Sequence, residues 1–342
     1  MRKFRTLGLT LLMAALLLAG CGQSAAPKEG ELQTIKVGEV THSVFYAPQY
    51  VAMSEGYFAD EGLSIDLLNL QGADKVMSAL ISNEIQVGLM GPEASIYVAN
   101  QDLEDYAINF AQLTQRDGSF LLSRQSEPDF KFGELKNAEI LGGRIGGVPE
   151  MTLEYVLKTN GLDIGVDDDS KDVNVRTDIQ FSAMAGAFVA GEGDYVSLFE
   201  PTATALEKEG KGYIVASIGE QSGAIPYTAY CASKSYMNND PDVIQHFTNA
   251  ICRGQQYVQT HSAEEIAQAI HPYFTDIELE DLVVVVDRYK SIDAWNHDPI
   301  FGQDGFEKLM DVMALAGQLD QRADYATIVN TQFAEKAVQL EQ

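Results

Sequence analysis

Basic residues and cysteines are both scarce in this chain. Its 342 residues include 23 Lys and Arg against 50 Asp and Glu, which gives a formal net charge of −27. A negative surplus of this size repels nucleic-acid phosphates and anionic lipid head groups, so we expect neither as a partner. The 3 cysteines have no neighbouring Cys or His at the spacing of metal ligands, so the sequence indicates no metal site. Spacing alone leaves open whether Cys231 and Cys252 form a disulfide.

Motifs of known catalytic machinery are also missing. The glycine-rich segment Gly142–Gly147 does not fit the pattern G-x-G-x-x-G, and no Gly-Lys-Ser/Thr sequence follows it. The chain has neither an HExxH zinc motif nor a nucleophile elbow. We therefore expect a protein that is not an enzyme and that uses no cofactor.

The N-terminus is typical of an exported protein. Arg2, Lys3 and Arg5 precede the apolar run Leu7–Leu18. A basic start followed by a short apolar run and small residues is typical of a secretory signal, here residues 1–20. The run is shorter than the roughly 20 residues that a membrane-spanning helix needs.

Cys21 follows Ala19 and Gly20, as in the lipobox of bacterial lipoproteins. We expect an extracytoplasmic protein that is anchored to the bacterial cell membrane only through lipidated Cys21. Residues 21–33 are mostly small and polar and lack periodicity, so they predict a flexible tether. An ordinary secretory signal with an incidental cysteine is the alternative.

The stretch from Val40 to Leu68, with the run before it, predicts a βαβ unit. Ile35–Gly38 and Leu63–Leu67 have strand character, and the residues between them have helical spacing that ends at Gly56. Ligands of open α/β sheets bind at the carboxyl ends of the strands. The loop 41–46 is therefore the first candidate for a site.

Four segments resemble one protein family. They are EGYFADEGLSIDL (55–67), IQVGLMGPEA (85–94), GGRIGGVPEMTLEYVLKTNGLD (142–163) and GEGDYVSLFEP (191–201). They resemble substrate-binding proteins of ABC importers in the nitrate, sulfonate, taurine and thiamine-pyrimidine group. The resemblance implies a two-lobed α/β periplasmic-binding-protein fold, type II-like, with the ligand in the cleft between lobes. It also implies hinge closure on a small solute and delivery to a permease and its ATPase, and we expect a monomer.

The order of the motifs predicts how the lobes are divided along the chain. We expect lobe one to be formed by 34–126 and 224–342, and lobe two by 127–223. Helices are predicted for the C-terminal part, at Val243–Val258, Ala263–Ile270, Leu279–Tyr289 and Phe306–Leu315.

The candidate ligand-binding residues lie at predicted strand ends and helix starts of both lobes. They are His42, Ser43, Phe45, Tyr46, Gly91, Glu93, Arg116, Gly146, Gly147, Glu150, Met151, Phe199, Glu200 and Tyr227. The aromatic side chains are suited to stack on a flat ligand, with core packing as the alternative. Acidic residues also favour the first turn of any helix, which is the alternative role of Glu93 and Glu150. Glu200, at a strand end, is the acidic residue most expected to contact the ligand.

The acidic residues favour one class of ligand. A helix start after a glycine loop binds anions readily, but Glu150 at that position would repel an oxyanion. Carboxylates accept paired N–H donors from an aminopyrimidine. We therefore expect a heteroaromatic, thiamine-pyrimidine-like solute. A small oxyanion such as an alkanesulfonate, taurine or nitrate is the alternative, and a surface enzyme of the same fold is the third possibility.

Overall fold

The computed structural model describes residues 32–101 and 103–341. The predicted signal peptide, the lipidation site Cys21 and the tether up to residue 31 lie outside these residues. Within the described ranges, no helix combines the length and the apolar character that crossing a membrane requires.

The described residues form strands in two sheets. The strands are β1 (Gln33–Glu39), β2 (Leu63–Asn69), β3 (Val87–Met90), β4 (Ala107–Thr114), β5 (Ser119–Ser123), β6 (Ala138–Leu141), β7 (Ile164–Val166), β8 (Val173–Arg176), β9 (Tyr195–Phe199), β10 (Tyr213–Ser217) and β11 (Thr228–Ser233).

Helices cover the faces of both sheets and form the C-terminal part. They are α1 (Ala47–Ser54), α2 (Tyr57–Asp60), α3 (Ala73–Ile81), α4 (Glu93–Ala99), α5 (Val148–Thr159), α6 (Met184–Ala190), α7 (Thr202–Lys208), α8 (Ile218–Ser222), α9 (Lys234–Asn239), α10 (Pro241–Thr260), α11 (Ala263–Ile270), α12 (Leu279–Ser291), α13 (Gln303–Leu315), α14 (Tyr325–Ile328) and α15 (Gln332–Leu340). Short 3-10 helices lie at Val44–Tyr46, Phe132–Glu134, Phe181–Ala183 and His271–Tyr273.

The first sheet has the order β2-β1-β3-β11-β4. β1 pairs in parallel with both β2 and β3, which confirms the predicted βαβ unit. β11 returns late in the chain and pairs antiparallel with β3 and β4. The carboxyl ends of β1 and β3 therefore meet at one edge, where a ligand site of an open α/β sheet is expected.

The second sheet has the order β10-β5-β9-β6-β8-β7. β5 pairs antiparallel with β9, with Ser119 opposite Phe199. The predicted boundary at residue 126 assigned β5 to the first lobe, whereas this pairing places it in the second sheet. The run Ser119–Ser123 is buried at every position, so its pattern carries no information about which sheet it joins. The two sheets with their helices form the two-lobed α/β fold that the sequence predicts.

The C-terminal helices pack mainly on the first lobe and hold the loop after β1 in place. The predicted helices agree with α10 to α13, and α11 begins at a capping box formed by Ser262 and Glu265. Trp295, between α12 and α13, is 2% exposed, and its indole N–H donates to the Phe45 carbonyl oxygen at 2.9 Å. Cys231 and Cys252 are both buried free thiols, so the structure contains no bridge between them.

Candidate ligand-binding cleft

The loop after β1 reaches across to the second lobe. Ser43 begins the 3-10 helix Val44–Tyr46, and its hydroxyl accepts a hydrogen bond from the Phe45 N–H at 3.2 Å. The same hydroxyl donates to the carbonyl oxygen of Glu200, just after β9, at 3.0 Å. One serine therefore both caps the loop helix and joins the two lobes.

A second set of contacts closes the cleft between α4 and the loop before α5. The Tyr97 hydroxyl donates to the Gly146 carbonyl oxygen at 2.9 Å. Arg144 Nη2 lies 3.9 Å from Glu93 Oε1, with Arg144 on the second lobe and Glu93 on the first. The lobes are thus in contact through a helix start on each side.

Phe45 occupies the centre of an aromatic cluster at the base of the cleft. Its ring centroid lies 5.8 Å from Tyr46, 5.6 Å from both Phe199 and Tyr227, and 5.3 Å from Tyr289. A methyl group at Gly118 would overlap the Phe45 ring, so that turn requires glycine. Because Phe45 is 1% exposed and enclosed by protein, its present role is packing.

Glu93 is a buried acid with one oxygen left unpaired. It is 2% exposed, and Oε2 has no hydrogen-bond partner among the described residues. The carboxyl group folds back over Gly91, where any side chain would overlap it. Burial raises the pKa of Glu93 to about 7, and the charge of Arg144 opposes this rise. Burial raises the pKa values of Tyr46 and Tyr227, and the charge of Glu93 makes a smaller contribution in the same direction.

Asp117 and Tyr227 form a second group with unused hydrogen-bonding atoms. Asp117 Oδ1 accepts from the N–H and the hydroxyl of Ser119, both at 2.6 Å. Asp117 Oδ2 and the Tyr227 hydroxyl are neighbours, but no well-formed hydrogen bond joins them and neither has another partner among the described residues. Burial raises the pKa of Asp117 to about 7. This group lies near Tyr46 and Glu93, which also raise the pKa of Tyr227.

Glu200 is fully paired within the protein. Its carboxylate accepts from the N–H and the hydroxyl of Thr204, both at 2.9 Å, and forms an ion pair with Arg288 of α12. Arg288 also pairs with Glu207 at 3.1 Å. The expected ligand contact of Glu200 stays untested, but its acceptor atoms already have protein donors, so we assign it to the connection between α7 and α12.

The glycine loop before α5 is organised by Glu150. Glu150 Oε2 accepts from the Gly146 N–H at 3.1 Å, and Gly147 is the residue that precedes the helix. Burial and the neighbouring carboxyl of Glu154 raise the pKa of Glu150 to about 9. The raised pKa favours the neutral carboxyl, which weakens the charge repulsion on which the argument against oxyanions relied. Glu150 Oε1 has no hydrogen-bond partner among the described residues.

The other predicted site residues lie around this region. Met151 is buried beside the Tyr97 hydroxyl, with Sδ 3.7 Å from it. Arg116 is half-buried, and its Nε has no partner among the described residues. Phe199 is half-buried and stacks edge-on with the exposed Phe181. His42 lies at the outer side of the loop, where both ring nitrogens contact protein atoms.

Sequence reasoning missed three residues of the cleft. Asp117 follows the end of β4 in an Asp-Gly turn, a signal that was available beside the chosen Arg116. Tyr97 and Arg288 are ordinary helix residues by pattern, and only tertiary contact distinguishes them. Within the described residues, no cluster of three or more His, Cys, Asp or Glu side chains is arranged to hold a metal ion.

A surface depression of about 650 Å³ lies on the second lobe, away from this cleft. Its lining includes Phe130, Ser217 and Gln221. None of its lining residues has a buried side-chain atom without a partner, whereas the cleft has several. We therefore place the candidate site between the lobes.

Two relatives are similar to this chain over almost its whole length. The protein YtlA of Bacillus subtilis, whose name describes it as a binding protein, is 43% identical over 333 residues, 97% of this chain and 96% of the relative. The formylaminopyrimidine-binding protein of Halalkalibacterium halodurans is 21% identical over 346 residues, 91% of this chain and 100% of the relative.

Solved structures share the fold at low sequence identity. The nitrate-binding protein NrtA of Synechocystis has a TM-score of 0.73 with 16% identity, over 91% of this chain and 89% of its own. The ligand-binding component of an ABC-type import system from Staphylococcus aureus has a TM-score of 0.72 with 13% identity, over 89% of this chain and 99% of its own. The desulfurization enzyme DSZB has a TM-score of 0.62 with 12% identity, over 91% of this chain and 100% of its own. The fold therefore also occurs in an enzyme.

The fold and these similarities define the class. The chain has the fold of these binding proteins, and a relative that is 43% identical over nearly its whole length is named as a binding protein. Its family is the NMT1-like family, which matches residues 28–271, and the chain belongs to it.

Proposed function

We propose that this protein captures a flat, amino-substituted heteroaromatic solute of the thiamine-pyrimidine class in the cleft between its lobes. The observation that carries the proposal is a set of buried carboxyl oxygens without a hydrogen-bond partner among the described residues: Glu93 Oε2, Glu150 Oε1, and Asp117 Oδ2 beside the Tyr227 hydroxyl. A buried acceptor without a donor costs about 1–3 kcal/mol, so a ligand that supplies N–H groups there gains that energy.

The aromatic surroundings suit the same ligand. Tyr46 and Tyr227 both pack against Phe45, and each is within range of the charge of Glu93, so aromatic rings and a carboxyl group occur in one region. An amine donating to a carboxylate forms a charge-assisted hydrogen bond, which is about twice as strong as a neutral one. The aminopyrimidine named for one relative has this chemistry.

Closure of the lobes is the proposed mechanism. Ser43 and Tyr97 each make a hydrogen bond across the cleft, to Glu200 and Gly146. A solute that binds both lobes stabilises this closed arrangement relative to an open one. We expect the permease to recognise the surface of the closed form. Lipid anchoring at Cys21 keeps the binding protein beside the transporter, and we propose that it acts as a monomer.

A small oxyanion is the second candidate because Arg116 Nε is a buried donor without a partner among the described residues, and because the raised pKa of Glu150 favours its neutral form. Calorimetric titration with 4-amino-5-hydroxymethyl-2-methylpyrimidine, taurine and nitrate separates the two. We expect saturable binding of the aminopyrimidine only. Binding of taurine or nitrate alone would replace our proposal with the oxyanion alternative.

The third possibility, an enzyme, is tested on the same samples. After titration, mass spectrometry of the mixture should recover the aminopyrimidine unchanged and in the amount added. Steady loss of the probe with formation of a new product would identify an enzyme.

A further inference from the structure

The histidine in the first loop contacts the protein through both ring nitrogens. His42 Nε2 lies 2.8 Å from the backbone carbonyl oxygen of Tyr273. A carbonyl oxygen only accepts hydrogen bonds, so Nε2 must carry a proton. This bond joins the loop after β1 to the chain that follows α11.

The other ring nitrogen also faces hydrogen-bond acceptors. His42 Nδ1 lies 3.2 Å from Glu39 Oε1 and 2.9 Å from the Tyr50 hydroxyl oxygen. That hydroxyl donates its own proton to Glu39 Oε2 at 2.7 Å. With its proton used there, Tyr50 presents only lone pairs to His42. The arrangement is complete when both nitrogens are protonated, as in an imidazolium.

Glu39 needs this positive charge. Its side chain is 1% exposed and accepts hydrogen bonds from Gln49 and Tyr50, and His42 is the basic group within 4.0 Å of it among the described residues. A buried carboxylate without a cationic partner is costly. The His42 ring is 39% exposed and stacks on Phe274 with centroids 4.6 Å apart, so an imidazolium here keeps part of its hydration.

The charged groups that face His42 act in the same direction. Glu39 on β1, the Tyr273 carbonyl and Asp276 after the last 3-10 helix raise the pKa of His42, the Glu39 hydrogen bond most, and burial opposes them. The neutral Tyr50 on α1 completes the surroundings. The contribution of the charged form is fully present below the ordinary value of 6.5 and is lost as the pH rises through the raised pKa.

We propose that His42 is a positioning residue that, as an imidazolium, anchors the ligand loop Ser43–Tyr46 to the C-terminal helices, so that solute affinity falls in alkaline solution. His42 adjoins Ser43, which joins the lobes, and precedes Phe45 and Tyr46 of the aromatic cluster. Loss of the proton from Nδ1 breaks the bond to Glu39 and loosens the loop. The proposal rests on the proposed function for its readout in affinity, but not for the state of His42 itself.

The first experiment is NMR titration of the imidazole protons of the ligand-free protein. We expect the His42 signal to titrate clearly above pH 6.5, and to be absent in His42→Gln. If that variant does not fold, Tyr50→Phe, which removes one hydroxyl beside the ring, identifies the signal by its shift. Titration of His42 at or below 6.5 would overturn the proposal whether or not any solute binds.

The second experiment measures affinity for 4-amino-5-hydroxymethyl-2-methylpyrimidine from pH 6 to 9 in wild type and His42→Gln. Gln can still donate to the Tyr273 carbonyl but carries no charge. We expect wild type to bind about threefold to tenfold more tightly near pH 6 and this advantage to vanish by pH 9. Protonation of Glu93 also changes with pH, but it does so in both proteins, so its effect cancels in the ratio of their affinities.

His246→Gln is the matched control, because His246 also pairs with a carboxylate, Glu61, but lies on α10 outside the cleft. Its affinity ratio to wild type should stay near one throughout. A ratio for His42→Gln that does not change with pH would overturn the proposal. Absence of binding to wild type at every pH would instead refute the proposed function, while the NMR titration still decides the charge state of His42.

Discussion

Two buried glutamates at the cleft, Glu200 and Glu93, have opposite surroundings. Glu200 is 1% exposed and has Arg288 and Thr204 as donors, whereas Glu93 is 2% exposed and keeps Oε2 without a partner. A paired buried charge serves the fold, and an unpaired one destabilises the empty protein. The comparison indicates that Glu200 joins α7 to α12, and it supports our proposal that Glu93 Oε2 accepts a hydrogen bond from the solute.

The largest effect should come from removing the partner of Glu200. Arg288→Met leaves a buried carboxylate without its cation, and we expect the free energy of unfolding to fall by about 3–5 kcal/mol. Urea unfolding of the ligand-free protein measures it. Arg322→Met is the control, since Arg322 is 45% exposed and its surface pairs with Glu307 and Asp311 contribute at most about 1 kcal/mol. Equal losses in the two variants would contradict the distinction between Glu200 and the surface pairs.

The contribution of Glu93 to stability should fall as the pH rises. The pKa of Glu93 rises from 4.5 unfolded to about 7 folded, so its contribution to stability is present below 4.5 and is lost as the pH rises through about 7. Glu93→Gln avoids this loss. Relative to wild type, the variant should gain about 3 kcal/mol of unfolding free energy between pH 4 and pH 8. A difference that does not change over this range would show that Glu93 is not forced to bury its charge.

Binding should depend on Glu93 more than on Glu150. Glu93→Gln removes one partner of a charge-assisted hydrogen bond to the aminopyrimidine, so affinity should fall by about 1.5–3 kcal/mol, roughly tenfold to a hundredfold. Glu150→Gln should change affinity less, because the raised pKa of Glu150 favours its neutral form and its Oε2 accepts from its own loop. Calorimetry at pH 7.5 compares them. Tighter binding of taurine or nitrate by Glu93→Gln, without aminopyrimidine binding by wild type, would favour the oxyanion alternative.

The smallest effect is expected at the hydrogen bond between the lobes. Tyr97→Phe removes the bond to the Gly146 carbonyl and should weaken solute binding by about 0.5–1.5 kcal/mol while leaving each lobe folded. Tyr195→Phe is matched, because the Tyr195 hydroxyl bonds Glu127 within the second lobe. Small-angle scattering of the ligand-free proteins should show a larger radius of gyration for Tyr97→Phe alone. The same radius for both variants would contradict a role of Tyr97 in closure.

Local pattern was sufficient for the elements that position the site. The alternation at Ile35–Gly38 and Leu63–Leu67 and the stop at Gly56 predicted β1, the helices after it and β2, and the ends of α11 were predicted as the structure has them. Such features depend on backbone propensity and on which faces are apolar, and both are properties of neighbouring residues. The loop 41–46 and the segment at Gly91 lie at the carboxyl ends of β1 and β3, as the pattern predicted.

Only the tertiary structure decided which sheet β5 joins and which glutamate has protein donors for both of its carboxyl oxygens. β5 pairs with β9, and Glu200 pairs with Arg288, a residue that lies 88 positions further along the chain. Glu93 and Glu150 both begin helices, yet burial against Arg144 or against Glu154 gives them different pKa values. Charge state and hydrogen-bond satisfaction depend on atoms within a few ångström in space, and sequence order does not specify those neighbours.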